Sequence, residues 1–382
     1  MGIKRFQWKY LSLVLLVGFI LYGVASAVYI YRFRAMHIAS VESYKNDILG
    51  IESQIAKLTK ENKDLSNEIA LLRTEILSFG EYATNRAAEK YVFQRSLDEI
   101  SLNQISTKDL TQDDIFRILV TGHIYGSPTS RQTNPAKTLL NALPAINALS
   151  PDLFVSLGDT VFQPSEQTFT ELRNNFFYEV DAPVLNAPGN HDFMAGRDLY
   201  DAYFGQSFSY FQQDRLMVIM LDTEVAHCHI VGKQKEMLEA AISQALSDES
   251  VQYIFVFMHR LLYLEPELSL QEYPNGFCDF GSNYAELREE IFLPAAAEKP
   301  VYLFAGDVGA FGGNFSPFYM QDGDSQLYTL AAGLGDSPLD VIIQIDIYKD
   351  ELFFDLIPLG DKEFAPLEAY NMGYWSVPVD TE

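Results

Sequence analysis

The sequence predicts an α/β domain carried behind a membrane-spanning helix and a coiled coil, and three observations predict it. Four short apolar runs, Ile118-Leu119-Val120, Leu153-Phe154-Val155, Ile254-Phe255-Val256-Phe257 and Tyr302-Leu303-Phe304, have the length and composition of buried parallel strands. Each leads into a short polar motif, which sets polar side chains along one sheet edge, where α/β folds build their sites. Ahead of them lie an uncharged apolar segment and an unbroken heptad repeat. The 382 residues leave room for one large domain with extra segments.

The apolar segment runs from Tyr10 to Tyr31, about 22 residues, enough to cross a hydrocarbon core of ~30 Å. Trp8, Tyr10, Tyr29 and Tyr31 sit near its ends, as interfacial aromatics do. Lys4, Arg5 and Lys9 on the short N-terminal side place residues 1–9 in the cytoplasm and the body outside the cell membrane, on a single pass. Ala25-Ser26-Ala27 matches a signal-peptidase site. The apolar run continues beyond it, which favours a retained signal-anchor over cleavage at Ala27.

The heptad run covers 38–79. Position a holds Val41, Ile48, Ile55, Asn62, Ile69 and Ile76; position d holds Tyr44, Ile51, Leu58, Leu65, Leu72 and Phe79. β-branched residues at a with mostly Leu at d favour a parallel dimer, and a lone Asn at a fixes register and strand number. From Val41 to Phe79, at 1.5 Å per residue, the coil is roughly 58 Å long. A solitary amphipathic helix is the alternative. Gly80 is expected to end the coil, and the polar, poorly periodic residues 80–114 read as a linker with some helix around Ala87–Leu97. The compact domain is expected over 115–360. Residues 361–382, with Pro366, Tyr370 and Pro378, read as a tail laid on the surface.

Net charge is −25, and because residues 1–34 carry five basic and no acidic side chains, the remainder stands at −30. So acidic a body repels phosphate backbones and argues against nucleic-acid binding. Abundant Tyr and Phe argue against disorder. The two cysteines, Cys228 and Cys278, lie in polar loops after strand-like runs. A disulfide between them would tie those loops together if the domain is extracytoplasmic; two free thiols are the alternative.

Five motifs follow in fixed order: Gly122-His123, Gly158-Asp159, Gly189-Asn190-His191-Asp192, Met258-His259 and Gly306-Asp307-Val308-Gly309. Their order and spacing resemble the calcineurin-like metallophosphoesterase superfamily, which includes the purple acid phosphatases. Tyr203-Phe204-Gly205, the run Val218 to Thr223, Gln234 at a helix start and the segment Tyr328 to Gly335 also resemble that family. The resemblance implies a four-layer α/β/β/α sandwich with two mixed sheets. It further implies two metal ions that clamp a phosphoester and activate water for in-line attack. By that resemblance Asp159 matches the bridging carboxylate, Asn190 and His259 match ligands of the second ion, and His123 matches a ligand of the first. His191 matches the non-ligand histidine that stabilises the developing charge or protonates the leaving alkoxide, with Asp192 placed to orient it.

Two departures matter. The first motif has Thr121 where the family has Asp, and the last has Asp307 and Gly309 where the family has two histidines. The first metal position then keeps only His123 and Asp159. The second keeps Asp159, Asn190 and His259 and gains Asp307, a set of three oxygens and one nitrogen suited to Mn²⁺, Fe²⁺, Mg²⁺ or Zn²⁺. One ion is therefore expected, with two if Tyr125, or His227 and His229 on an extended segment, rebuild the first position. Arg197 and Arg260 are candidates for contact with substrate phosphate, against ordinary salt bridging. Asp222 and Asp336 are candidates for outer contacts of the site.

The implied function is a membrane-tethered, metal-dependent phosphoric-ester hydrolase acting outside the cytoplasm. A catalytically inactive binding or scaffold module on a dimeric stalk is the alternative, and an assembly protein worked by its coil is a third.

Overall fold

The computed structural model describes residues 3–106, 114–127, 135–265, 267–279, 281–309 and 315–376, without the side chains of 3–14. The expectations for residues 1–2, for 107–113 of the linker and for 377–382 with Pro378 lie outside the described residues, as do the side chains of Lys4, Arg5, Trp8, Lys9 and Tyr10. The chain divides into two units, Met1–Thr74 and Glu75–Glu382.

In the first unit, helix α1 begins at Ile3; its last residue, Ala87, belongs to the second. It is long and apolar enough, by length and composition, to cross a membrane. The heptad side chains Ile48, Ile55, Leu58, Leu65 and Leu72 are all exposed. The sequence reading ends the coil at Gly80, but α1 continues through it to Ala87 without a break.

The second unit is built on two sheets. Strands β1 (Phe116–Thr121), β2 (Leu153–Ser156) and β3 (Val184–Asn186) run parallel. Strands β4 (Ser209–Gln213), β5 (Leu216–Met220), β6 (Tyr253–Met258), β7 (Val301–Ala305), β8 (Phe318–Gln321) and β9 (Leu327–Ala331) form the second sheet. Strands β10 (Val341–Tyr348) and β11 (Glu351–Pro358) return to the first. The orders are β11-β10-β1-β2-β3 and β4-β5-β6-β7-β9-β8, each mixing parallel and antiparallel pairs. The four predicted apolar runs lie within β1, β2, β6 and β7, buried at every position quoted.

Strand alternation makes the layers. On β1, Ile118 and Val120 join the core that also holds Ile219, Phe255 and Phe304 of the second sheet. Leu119 and Phe154 point the other way, into a second core with Leu139, Phe169 and Leu172. Those three come from helices beyond the short α2 (Leu97–Ile100): Leu139 from α3 (Lys137–Ala148), Phe169 and Leu172 from α4 (Glu166–Asn175). After α5 (Arg197–Phe204), helix α6 (Gly232–Ser247) covers the second sheet with Met237, Leu238 and Ala241. This is the expected four-layer α/β/β/α order. Each fully buried large apolar side chain stabilises it by roughly 1.5–3 kcal/mol.

The two ends of this unit differ from expectation. Residues 80–106 are packed against the domain rather than free: Ala88 and Leu97 are buried in the main core, and Asn103 Nδ2 donates to the carbonyls of Phe177, Val180 and Ala182. At the other end Leu367, Tyr370 and Trp375 are buried, and Trp375 Nε1 donates to the Pro317 carbonyl at 3.1 Å. Two small or medium apolar side chains and the Asn103 amide hold the first end down, and large apolar side chains hold the second. Cys228 and Cys278 are bonded as a disulfide, closing a separation of 50 residues.

Candidate metal centre

The five motifs come together because each follows the carboxyl end of a parallel strand. His123 follows β1, Asp159 follows β2, Asn190 follows β3, His259 follows β6 and Asp307 follows β7. The turns after β1 and β2 are unusual. His123 and Asp159 both have φ of 52°, a left-handed conformation costly for residues with a Cβ and typical of sites whose surroundings over-determine it. His123, Asp159, His259 and Asp307 are completely buried.

One position has the geometry of a cation site. His259 Nε2 lies 3.3 Å from Asn190 Oδ1, 3.5 Å from Asp159 Oδ1 and 3.6 Å from Asp307 Oδ1. Ligands about 2.1 Å from a shared ion stand roughly 3.0–3.4 Å apart, close to these separations. His259 Nδ1 is 2.7 Å from the Leu157 carbonyl, so Nδ1 carries the proton and Nε2 offers its lone pair. Asp159, His259 and Asp307 group their ligand atoms within 4.8 Å of one another, with two carboxylates to balance a divalent charge.

Burial and charge set the protonation of this group in the absence of an ion. Burial pushes the Asp159 carboxyl up to about 6 against the pull of His259. For His259 burial opposes the charged form, but Asp159 and Asp307 outweigh it and the ring is shifted upward. Asp307 is likewise burdened by burial, and His259 and Arg260 hold it below the ordinary carboxylate value. Asp159 Oδ2 is buried and has no hydrogen-bond partner among the described residues.

The other face of Asp159 meets His123, whose Nε2 lies 3.5 Å from Oδ2. Burial drives the His123 ring down to about 3, so it is neutral. Thr121, where a ligand is missing, turns its hydroxyl to the Val341 carbonyl at 3.2 Å. Gly309, the other departure, has φ of 91°, and a Cβ there would stand 2.6 Å from the Gly333 carbonyl oxygen. Asn275 was not singled out in the sequence, yet its side chain enters here. Its Nδ2 lies 3.0 Å from His123 Nε2 and 2.9 Å from Asp307 Oδ1. It rides on the loop pinned by Cys278, and the pairing of the two cysteines is the one sequence signal that points to that loop.

The remaining candidates divide. His191 stands at the edge of the centre: its amide donates to Asp159 Oδ1 at 2.9 Å, its Nδ1 is 2.8 Å from the Phe162 carbonyl, and its Nε2 is 3.4 Å from the Tyr125 hydroxyl. Tyr125 packs between His123 and His191, with ring centroids 4.2 and 5.0 Å away. Asp192 serves the backbone rather than the His191 ring: it accepts from the amides of Asp159, Thr160 and Gly189 and from the Thr160 hydroxyl. Arg197 is bound to Asp222 at 2.7 Å and Ser207 at 3.0 Å. Arg260 is held by Glu224 at 2.9 Å and by Asp307 Oδ2 at 2.5 Å. Asp336 accepts from the Lys137 and Thr138 amides that start α3. The extended geometry expected around His227 and His229 is absent. His227 and Cys228 both have positive φ, His227 is exposed, and His229 Nδ1 bonds the His227 carbonyl.

Residues 116–286 match the family model of calcineurin-like phosphoesterases. Solved structures similar to this chain include a purple acid phosphatase from yellow lupin (Lupinus luteus) seeds, at 12% identity and a TM-score of 0.43 over 66% of this chain and 53% of that one. A dimetal phosphatase from Danio rerio is similar at 12% identity and a TM-score of 0.45, over 64% of this chain and 96% of that one. The chain thus spans about half the length of the lupin protein. No curated protein matches it.

Proposed function

We propose, because residues 116–286 form a calcineurin-like phosphoesterase domain, that this chain hydrolyses phosphoric esters using one divalent ion held by Asp159, Asn190, His259 and Asp307. The observation that carries this reading is the aim of His259 Nε2 at three oxygens while its Nδ1 is tied to a backbone carbonyl. A divalent ion there supplies Lewis acidity and lowers the pKa of water. Asn190 and the two carboxylates would hold the ion, and burial of the centre excludes bulk water. His191, oriented by its Nδ1–H to the Phe162 carbonyl, would in its imidazolium form hand the Nε2 proton to the leaving alkoxide and be left as the neutral ring. His123 and Asp192 act indirectly: His123 lines the attacking side, and Asp192 fixes the turns that carry Asp159 and His191. The ion is Mn²⁺, Fe²⁺, Mg²⁺ or Zn²⁺ by donor type.

The chain is a single-pass membrane protein whose domain works outside the cytoplasm, on phosphomonoesters, phosphodiesters or a phosphorylated envelope glycan or lipid. The apolar N-terminal helix supports the anchor, and the Cys228–Cys278 bond suits an oxidising compartment. The exposed heptad seam supports a parallel homodimer. A binding module is the second reading, favoured by the Arg260 guanidinium that already neutralises Asp307. Calorimetric titration with Mn²⁺ tests the centre: His259→Ala should weaken binding by about 100-fold or more. Equal affinity in the variant would remove His259 from the ligand set.

A further inference from the structure

We infer that Asn275 is a built-in plug of the first metal position, its amide N–H₂ standing where a second cation would otherwise sit. This deepens the single-ion reading above and rests on it. Three independent features converge there. The Thr121 hydroxyl is committed to the Val341 carbonyl. Position 309 admits no side chain, because a Cβ would meet the Gly333 carbonyl oxygen at 2.6 Å. The Asn275 N–H₂ group lies against His123, one of the two donors that position keeps, with Nδ2 3.0 Å from Nε2, and it also reaches the neighbouring Asp307 Oδ1 at 2.9 Å.

The chemistry explains why an amide serves. Two acceptors that face each other across a buried gap need positive charge between them. A divalent ion would supply it; the two amide hydrogens supply a neutral version. The reverse amide orientation would set Oδ1 against the same two acceptors and is unfavourable without an ion. The loop is fixed from both sides. The Asn275 amide donates to the Asp307 carbonyl at 3.1 Å, and three residues on Cys278 is bonded to Cys228. The plug therefore belongs to the fold and not to a freely moving side chain.

The test is metal stoichiometry by plasma mass spectrometry, with electron paramagnetic resonance, on the full chain in detergent loaded with Mn²⁺. Wild type should hold one equivalent with an isolated-ion spectrum. Asn275→Asp, which replaces the N–H₂ group with a carboxylate oxygen, should hold two, with an exchange-coupled signal. Asn275→Ala, which tests the same point if the first variant fails to fold, should gain a weak second equivalent at excess Mn²⁺. One equivalent in all three proteins would overturn the plug and leave the single-ion reading intact. Two in wild type, falling to one in Asn275→Ala, would make Asn275 a ligand and overturn both. None in wild type would overturn the metal-dependent reading itself.

Discussion

At the scale of single residues, the centre is a contest between protons and a cation for the same lone pairs. Burial raises Asp159 to about 6, and the two neighbouring carboxylates shift His259 upward. Both shifts act in one direction. Metal affinity should begin to fall as the upward-shifted His259 takes a proton at its ligating nitrogen and fall more steeply below pH ~6 as Asp159 is protonated too, by about tenfold per unit for each proton displaced. Calorimetry with Mn²⁺ from pH 5 to 8 reads this directly, and a flat profile would exclude Asp159 as a ligand. Gly309 makes a second residue-scale prediction. Restoring the family's histidine by Gly309→His should not add an ion, because backbone blocks the position. It should cost roughly 1–3 kcal/mol from the positive φ and the clash, measured by urea denaturation. Asp159 and His259 were legible in the sequence because each lies just past an apolar strand run, and Asn190 because it sits in the Gly-Asn-His-Asp motif. Asn275 was not, because it reaches the centre from a long loop whose path is decided by a disulfide and by tertiary contacts, not by local periodicity.

At the scale of elements, strand-end motifs were readable because parallel strands buried on both faces leave continuous apolar runs. Helix ends were less so. Gly80 looked like a stop, yet a glycine costs a helix interior only about 1 kcal/mol. Here it sits where a Cβ would stand 2.8 Å from the Ala226 side chain, so close packing favours its small size. The segment 80–106 read as a linker because its anchors, Ala88, Leu97 and Asn103, are sparse and lack a period. The Cys228–Cys278 bond joins the loop that carries Glu224, which holds Arg260, to the connection after β6 that carries both direct partners of Asp307, Arg260 and Asn275. By loop-closure entropy over its 50-residue separation it should contribute about 4 kcal/mol. Cys228→Ser together with Cys278→Ser should lower the urea midpoint accordingly. An unchanged midpoint would mean that neither loop depends on the bond.

At the scale of the whole molecule, one acidic chain carries an apolar N-terminal helix, a heptad stretch and a domain whose residues 116–286 match the calcineurin-like phosphoesterase model. The heptads predict self-association: Asn62→Leu should broaden the crosslinked product from a dimer to a mixture of dimers and higher oligomers, because the polar a position is gone. A single crosslinked species unchanged by the substitution would separate association from this seam. The domain predicts chemistry. The measurement that bears on it most directly is release of phosphate or alcohol from a panel of phosphomonoesters and phosphodiesters. It would use the purified full chain with and without added Mn²⁺, beside Asp159→Ala. The account predicts hydrolysis of at least one ester that requires the ion and falls by roughly 10³-fold or more in the variant. A wild-type chain that binds Mn²⁺ yet turns over none of them any faster than Asp159→Ala would contradict it and leave a binding module.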